Sequence, residues 1–269
     1  MTDRFRLRRM AALVAAIFAV TPAAATPACK AESGRQTVAL VELYTSEGCD
    51  SCPPADRWLS SMFAPGIAGA SAVALAFHVD YWDRLGWKDR FASPAWTKRQ
   101  YDSARAVKSD LVYTPQVLLQ GRDLRDWHAE KRSAAAIAAV ARMPARADIA
   151  LEIAPRPGAV AVNATARVPG AAHRHGATLF VALTENGIVS DVRAGENAGK
   201  RLTHDHVVRA LQGGIAIGAA GDGAGTIVLP LLAEAGKMPT VVAFVQNVET
   251  GDVLQTLALP ITPACVPVR

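Results

Sequence analysis

The apolar positions in the first half of the chain predict alternating strands and helices. Nearly continuous apolar runs, VALVELY at 38–44 and AVALAFHV at 72–79, are typical of strands that a parallel sheet buries on both faces. Ser93-Pro94 is typical of a helix start, with serine as the cap and proline at the first helical position. In chain order the predicted elements are strand 38–44, helix 54–63, strand 72–79, helix 93–107, strand 116–120 and helix 133–142.

After Pro144 the pattern changes to short strands separated by turns. Residues 160–168 alternate small apolar residues with others, which is the period of a half-buried strand. Asn186-Gly187 is a strong hairpin signal, and Thr250-Gly251-Asp252 marks a second turn. The strands beside these turns are predicted at 178–185, 188–193, 240–248 and 253–259. This half therefore predicts an antiparallel β-sandwich.

Composition narrows the class of protein. The chain has 269 residues, of which 51% are hydrophobic and 20% charged, and these values exclude a disordered or collagen-like chain. The length favours two domains over one. The net charge is +5, but four arginines and one aspartate in the first nine residues supply three of those charges. The remainder has no basic run interleaved with aromatic residues, so nucleic acid is not an expected partner.

The N-terminus has the pattern of a secretion signal. A basic stretch at 1–9 precedes an apolar stretch at 10–20 that is too short to span a bilayer, and small residues follow at 23–25. We interpret residues 1–28 as a signal peptide, with an uncleaved anchor as the alternative. The mature protein is then expected in the bacterial periplasm or outside the cell, without stable membrane insertion, where disulfides persist.

The candidate chemistry is concentrated at Cys49-Asp50-Ser51-Cys52. This Cys-x-x-Cys pair directly follows a predicted buried strand and directly precedes a predicted amphipathic helix. The free N–H groups of a helix N-terminus favour a thiolate, so the position suits thiol–disulfide exchange. A zinc site is disfavoured because no second Cys-x-x-Cys completes the ligands. A purely structural disulfide is the remaining alternative.

Three further residues fit a redox interpretation of the pair. In thioredoxin-like folds a cis-proline loop abuts the cysteines, and the residue before the proline binds substrate through its backbone. Thr114-Pro115 precedes the third predicted strand, so we expect Pro115 to be cis beside the pair and Thr114 to contact substrate. Glu42 lies inside the first predicted strand and is the candidate proton acceptor for the second thiol. A position at a sheet edge is the alternative for Glu42.

Four segments carry a resemblance to a known family: VELYTSEGCDSCPPAD, ALAFHVDYWDRLGWKD, FASPAWTKRQ and VYTPQ, in this order. Together they resemble the secreted thioredoxin-like family catalogued as a domain of unknown function (number 1223). The resemblance implies a thioredoxin-like fold with Cys49, Cys52 and Pro115 in its motif positions, and it implies no particular substrate. The expected fold class is therefore α/β, with a thioredoxin-like N-terminal domain at 36–146 and a β-sandwich-like, β-rich C-terminal domain at 147–269.

The residues around the pair refine the expected activity. Pro53 and Pro54 displace the helix start, so Cys49 lies before the helix, and Asp50 opposes a thiolate. Both effects argue against a strong oxidant and favour a reductase or isomerase. Cys49 is expected to be the more exposed thiol and Cys52 the resolving one.

The segment after the second predicted strand has three interpretations. Trp82 and Trp87 are candidates for the floor of a substrate groove at the strand ends. A cation site is the second, and a rigid loop whose carboxylates cap backbone N–H groups is the third. The polar residues concerned are His78, Asp80, Asp83 and Asp89.

Cys29 and Cys265 stand near the ends of the mature chain. Because domain termini often lie close together, we expect a structural disulfide between them. His204 and His206 would share one face of a strand, but with no obvious third ligand we expect packing rather than metal binding. The segment 221–225 is interpreted as a turn rather than a phosphate loop.

Two functional hypotheses follow. The first is an exported thiol–disulfide oxidoreductase of reductase or isomerase type, acting on protein or small-molecule thiols and disulfides without a cofactor or metal. The alternative is a periplasmic binding or assembly module in which the Cys-x-x-Cys disulfide is structural. Burial of the disulfide and a low reduction potential would favour the alternative.

Overall fold

The computed structural model describes residues 29–63, 71–231, 237–263 and 265–266. The expected signal peptide, residues 1–28, lies outside this part of the chain. Within it, no helix has both the length and the apolar character that a membrane crossing requires.

The first half contains the predicted strands and helices. Ser93 caps its helix by accepting a hydrogen bond from the Ala95 N–H at 3.2 Å, and Pro94 takes the first helical position as predicted. The elements are β1 (Lys30–Glu32), β2 (Ala39–Thr45), α1 (Pro53–Met62), β3 (Ala72–His78), α2 (Pro94–Ala106), β4 (Gln116–Leu119), β5 (Arg122–Asp123) and α3 (Glu130–Ala141).

The described part of the second half consists of strands and one short 3-10 helix, Ala171–His173. The strands are β6 (Asp148–Arg156), β7 (Ala159–Arg167), β8 (Ala177–Asn186), β9 (Ile188–Asp191), β10 (Arg201–His204), β11 (Val207–Ala216), β12 (Asp222–Pro230), β13 (Lys237–Asn247) and β14 (Val253–Pro260). The hairpin predicted around residues 250–252 is confirmed, because β13 and β14 pair antiparallel. The segment 221–225, expected as a turn, instead begins strand β12.

The hairpin predicted at Asn186-Gly187 is wrong. β8 pairs with β11 and β13, whereas β9 leaves that sheet and pairs with β10. Gly187 does take the left-handed conformation that such a turn requires, with φ of 64°. Its N–H, however, donates to the Asp205 carboxylate at 2.7 Å, so the residue redirects the chain instead of closing a hairpin.

The expected fold class is also wrong. The structure is mostly β with large multi-strand sheets, and it is not an α/β thioredoxin-like fold followed by a β-sandwich. One eight-stranded sheet, in the order β14-β13-β8-β11-β3-β2-β4-β5, takes strands from both halves. The physical reason lies at the edge of β3, whose backbone groups need partners. β11 supplies them through a parallel contact of Val207 with Ala76 and a 2.8 Å hydrogen bond from the Ala76 N–H to the His206 carbonyl.

The two faces of this sheet bury different layers. On the β2 strand, Val41 and Leu43 face a core shared with α1 and α3, and Leu40 and Tyr44 face a core shared with α2. A four-stranded sheet in the order β1-β6-β7-β12, with β1 from the first half, packs against β8 and β13 and encloses a third core. The Cys-x-x-Cys segment follows β2, on the side of α1.

Cys29 and Cys265 form a disulfide, with Cα atoms 5.3 Å apart. Cys29 continues the β1 edge of the four-stranded sheet, where its carbonyl accepts a 2.8 Å hydrogen bond from the Ile153 N–H. Cys265 follows β14, the edge of the eight-stranded sheet. The disulfide therefore joins the two sheets at the ends of the described chain.

Candidate functional site

A tight turn after β2 brings the two cysteines of the Cys-x-x-Cys segment together. The Ser46 hydroxyl accepts from the Gly48 N–H at 3.1 Å, and the Ser46 carbonyl accepts from the Cys49 N–H at 3.2 Å. Cys52 is the cap residue of α1, so both prolines fit into the first turn. The cysteines are disulfide-bonded, with Cα atoms 5.4 Å apart, and both have 0% exposure.

One side of the disulfide is covered by Thr114 and Trp82. The Thr114 hydroxyl lies 3.4 Å from Cys49 Sγ and accepts a 2.7 Å hydrogen bond from the Trp82 indole N–H. The Thr114–Pro115 bond is cis, as predicted. Gly48 lies against Trp82 so closely that a Cβ there would be 3.1 Å from the tryptophan Cβ. Thr114 and Trp82 thus hold each other against the sulfur.

The other side is covered from the second half of the chain. Residues 192–200, the connection between β9 and β10, form what we call the capping segment. Its Asn197 is fully buried and donates to the carbonyls of Glu47 at 2.8 Å and Cys49 at 2.9 Å. The neighbouring Glu196 carboxylate accepts from the Asp50 N–H at 3.1 Å. The capping segment therefore satisfies the backbone of the cysteine turn at three points.

Beneath the disulfide lies a group of five buried titratable side chains, which we call the acid–histidine cluster: Glu47, Asp56, His78, Asp89 and His204. Asp89 is its centre, with Oδ2 at 2.6 Å from His78 Nδ1 and 2.9 Å from the Glu47 N–H. His204 Nε2 lies 3.3 Å from Glu47 Oε1, and its Nδ1 lies 4.0 Å from Asp56 Oδ2. The His78 and His204 rings meet edge to face at 4.9 Å.

Burial and neighbouring groups shift the pKa values of the cluster in different directions. Burial opposes ionisation of Asp89, but His78 and backbone N–H donors outweigh it and lower the pKa of Asp89 to about 2. Burial likewise disfavours the His78 cation, yet Asp89 outweighs burial and raises the pKa of His78. At Asp56 burial dominates and raises the pKa. For Glu47, His204 and two hydrogen-bond donors overcome burial and lower the pKa. Asp89 and His78 therefore form the buried ion pair of this cluster.

Glu42 lies on the opposite face of β2 from α1. It is fully buried, and its Oε1 accepts from Arg99 of α2, with Nη2 at 2.6 Å and Nε at 2.8 Å. A second donor bond from Arg99 Nη2 reaches Gln246 Oε1 at 3.1 Å. The role of Glu42 as proton acceptor stays a prediction, and its carboxylate is held by Arg99, a permanent cation. The buried acid with a raised pKa on α1, one turn after Cys52, is Asp56.

The indole N–H groups of Trp82 and Trp87 both donate hydrogen bonds to side chains of the protein. Trp87 donates to Glu47 Oε2 at 2.7 Å, and Gly195 of the capping segment lies against it. The proposed substrate contacts of both tryptophans, and of Thr114, stay predictions.

The carboxylates of this loop accept hydrogen bonds from its own backbone and from α2, as the third interpretation of the segment expects. Asp89 Oδ1 accepts from the Phe91 N–H, Asp83 Oδ1 from the Asp89 N–H, and Asp80 Oδ1 from the Thr97 hydroxyl. In residues 29–63, 71–231 and 237–263, no group of three or more His, Cys, Asp or Glu side chains has a geometry that would hold a metal ion.

The sequence did not identify four residues as members of the site: Glu47, Asp56, Asn197 and His204. Glu47 and Asp56 flank the cysteines at short range, and an acid on the apolar face of α1 was the available signal for Asp56. His204 was expected to pack in a strand, and it does, but its partners are acids from the first half of the chain. No local pattern marks Asn197.

Comparison with known proteins gives a family and two similar structures. The family described as "Protein of unknown function (DUF1223)" matches residues 40–246. Protein AGR_C_4864 from Agrobacterium tumefaciens is 26% identical, with 84% of this chain and 96% of that chain covered and a TM-score of 0.51. HBP35 of Porphyromonas gingivalis is 15% identical, with coverage of 84% and 76% and a TM-score of 0.62, a likeness of fold alone. No curated protein matches.

Proposed function

The chain belongs to the DUF1223 family of proteins of unknown function, and from its geometry we propose that it is an exported binding or assembly module whose Cys49–Cys52 disulfide is a structural brace. The observation that carries this proposal is the complete burial of both cysteines. Thiol–disulfide exchange needs a thiolate to reach one sulfur of the disulfide, and access limits the rate. A pair with 0% exposure offers no such approach.

The brace would stabilise one particular turn of the chain. It fixes the turn between β2 and α1 so that the Glu47 and Cys49 carbonyls converge on the side-chain amide of Asn197. The same turn fixes the Glu47 N–H on Asp89. The disulfide thereby stabilises the attachment of the capping segment, in the second half of the chain, to the first half.

Export is supported by two disulfides and by the predicted signal peptide. Both disulfides are expected to persist only in an oxidising compartment, such as the bacterial periplasm or the exterior.

The experiment measures whether the pair exchanges. The mature chain is equilibrated in dithiothreitol buffers of graded potential, and free thiols at Cys49 and Cys52 are counted by alkylation and mass spectrometry. We expect a reduction potential below about −300 mV and no labelling in a glutathione buffer. The Cys29–Cys265 disulfide is the internal control. A potential near about −200 mV, together with partners trapped covalently on Cys49 by Cys52→Ser, would contradict the brace.

A second candidate is the thiol–disulfide oxidoreductase of reductase or isomerase type. It is favoured by the Thr114 hydroxyl at 3.4 Å from Cys49 Sγ and by the buried Asp56 beside Cys52. In that case the Cys49 thiolate attacks a substrate disulfide and releases one substrate thiolate. Cys52, after losing its proton to Asp56, attacks Cys49, releases the second thiolate and re-forms the disulfide. The capping segment must open first, so Asn197→Ala should raise the exchange rate under this hypothesis and leave it undetectable under the brace hypothesis.

A further inference from the structure

A groove far from the cysteines opens between α2 and the exposed face of β8, β11 and the turn after β13. Its volume is about 540 Å³, within the range of small-molecule sites. Phe180, Leu211 and Val248 form its apolar surface, and Lys98 and Arg105 of α2 stand along one side.

The apolar side of this groove is a piece of sheet that α2 does not cover. Phe180 stacks on the buried Phe244 with ring centroids 5.3 Å apart and an interplanar angle of 20°, which fixes its orientation. Phe180 and Leu211 are partly exposed, and Val248 is 50% exposed. An apolar surface held rigid in a concave site loses water favourably when an apolar ligand covers it.

The charged side of the groove carries an excess cation. Lys98 and Arg105 both form ion pairs with Asp102, so two positive charges share one carboxylate. Partial burial opposes ionisation of Asp102, but hydrogen bonds from Lys98 and Arg105 prevail and lower its pKa, so it remains an anion at neutral pH. Deeper in the groove, Arg99 is balanced by Glu42. One positive charge at the groove entrance therefore has no balancing acid among these partners.

We propose that this groove binds an amphipathic monocarboxylate, with an aliphatic or aromatic body on Phe180, Leu211 and Val248 and its carboxylate at Lys98 and Arg105. The inference rests on the proposed binding function and names the ligand class. One excess cation selects a single negative charge, and the neighbouring apolar surface selects a ligand whose remainder is hydrocarbon. A cationic amphiphile would meet like charge at the entrance.

Decanoate is the test ligand, titrated into the mature full-length protein below its micellar concentration by isothermal calorimetry. We expect saturable binding with one site per chain and an affinity that falls as salt is added. Decyltrimethylammonium, with the same chain and the opposite charge, should bind at least about tenfold more weakly. Decanoate carrying a terminal diazirine should cross-link to β8, β11 or the turn that contains Val248.

The matched variants distinguish the loss of positive charge in the groove from a change in the net charge of the protein. Lys98→Gln with Arg105→Gln should weaken decanoate binding about tenfold, because two partly screened contacts to the carboxylate are lost. Lys30→Gln with Arg132→Gln also removes one lysine and one arginine from exposed ion pairs, outside the groove, and should bind as the wild type does. Val248→Ser should weaken binding of both ligands, with circular dichroism and the unfolding midpoint confirming that each variant folds.

Three results would overturn the groove proposal: no saturable decanoate binding, an equal loss in both double variants, or equal affinity for decyltrimethylammonium. These outcomes are independent of the disulfide measurements. A buried, non-exchanging Cys49–Cys52 pair without decanoate binding would retain the brace and reject the ligand class. An exchanging pair with decanoate binding would reject the brace and retain the groove.

Discussion

Two groups of buried charges flank β2 on opposite sides of the eight-stranded sheet, and they are built differently. On the α2 side, Glu42 and Arg99 form one ion pair, whose cation lies over the rings of Phe77, Phe180 and Phe244. On the α1 side, the acid–histidine cluster joins five titratable groups from distant parts of the chain. The first is a local pair with a permanent cation, and the second is a network that contains two histidines.

This difference predicts that the two groups respond differently to pH. Glu42 outweighs burial and raises the pKa of Arg99, so Arg99 stays a cation at any pH at which the protein folds. The cluster can change its charge near neutral pH, and it contacts the turn that the capping segment covers. We therefore expect Arg99 to add no pH dependence of its own, and the cluster to link the stability of the cysteine site to pH.

The largest effect is expected from Arg99→Leu. The substitution leaves the Glu42 carboxylate buried without a cation, which should lower the free energy of unfolding by about 4 kcal/mol. Urea denaturation measures it. The matched control is Glu42→Leu with Arg99→Leu, which removes both charges and should recover most of the loss. Equal losses in the single and double variants would contradict this account of the pair.

Asp89→Asn should have the next largest effect. The amide keeps the shape of the side chain but removes the negative charge that faces His78 and accepts from the Glu47 and Phe91 N–H groups. Loss of charged, buried hydrogen bonds should cost about 3 kcal/mol at neutral pH. Denaturant unfolding checks this, with the exposed Asp191→Asn as control. A loss no larger than the control's would mean that the cluster is not electrostatically coupled.

The pH dependence of the Asp89 interaction distinguishes the cluster from the pair. Because the folded-state pKa of Asp89 is lowered from 3.8 to about 2, its contribution is present above the unfolded value and is lost as pH falls towards 2. The raised pKa of His78 gives the opposite limit: its share is present below 6.5 and is lost as pH rises through the folded value. The difference in the free energy of unfolding between wild type and Asp89→Asn should thus be greatest between pH 3.8 and pH 6.5. It should shrink by about 2 kcal/mol in acid.

Unfolding curves at several pH values test this. The double variant Glu42→Leu with Arg99→Leu is the reference, because it removes the pair and leaves the residues of the cluster unchanged. A pH-independent Asp89→Asn difference would remove the distinction between the two groups.

Asn197→Ala should have the smallest effect on stability. Two buried hydrogen bonds to the Glu47 and Cys49 carbonyls are lost, which should cost about 1–2 kcal/mol. Asn163→Ala, at an exposed asparagine, should change the unfolding free energy by less than about 0.5 kcal/mol. Hydrogen exchange at residues 46–52 should accelerate only in Asn197→Ala. Unchanged protection there would mean that the capping segment does not depend on this side chain.

Local patterns predicted most elements of the first half. The continuous apolar run became β2 and the Ser-Pro cap began α2, because both signals act within a few residues. The partnership between halves was not predictable. Nothing in the sequence of β11 indicates that it pairs with β3. Asn186-Gly187 is a hairpin signal by its local geometry, but the chain passes there from one sheet to another.

The candidate site shows the same division. The Cys-x-x-Cys pair and Thr114-Pro115 were found from short motifs, and they do meet. Glu42 was chosen as an acid in the right strand, but side chains alternate across a strand, and its parity directs it to α2 rather than α1. The Cys49 carbonyl accepts a hydrogen bond from Asn197, almost 150 residues away, and a contact of that range leaves no local signature.

The bond between Cys29 and Cys265 makes the described polypeptide a closed ring. Their Cα atoms are 5.3 Å apart, although 236 positions separate them in sequence. A short peptide linker could therefore replace the cysteines, and new ends could be opened elsewhere, for instance at the exposed Pro157-Gly158 turn between β6 and β7. In such a circular permutant, β11 would still complete the edge of β3, since that contact does not depend on where the chain begins.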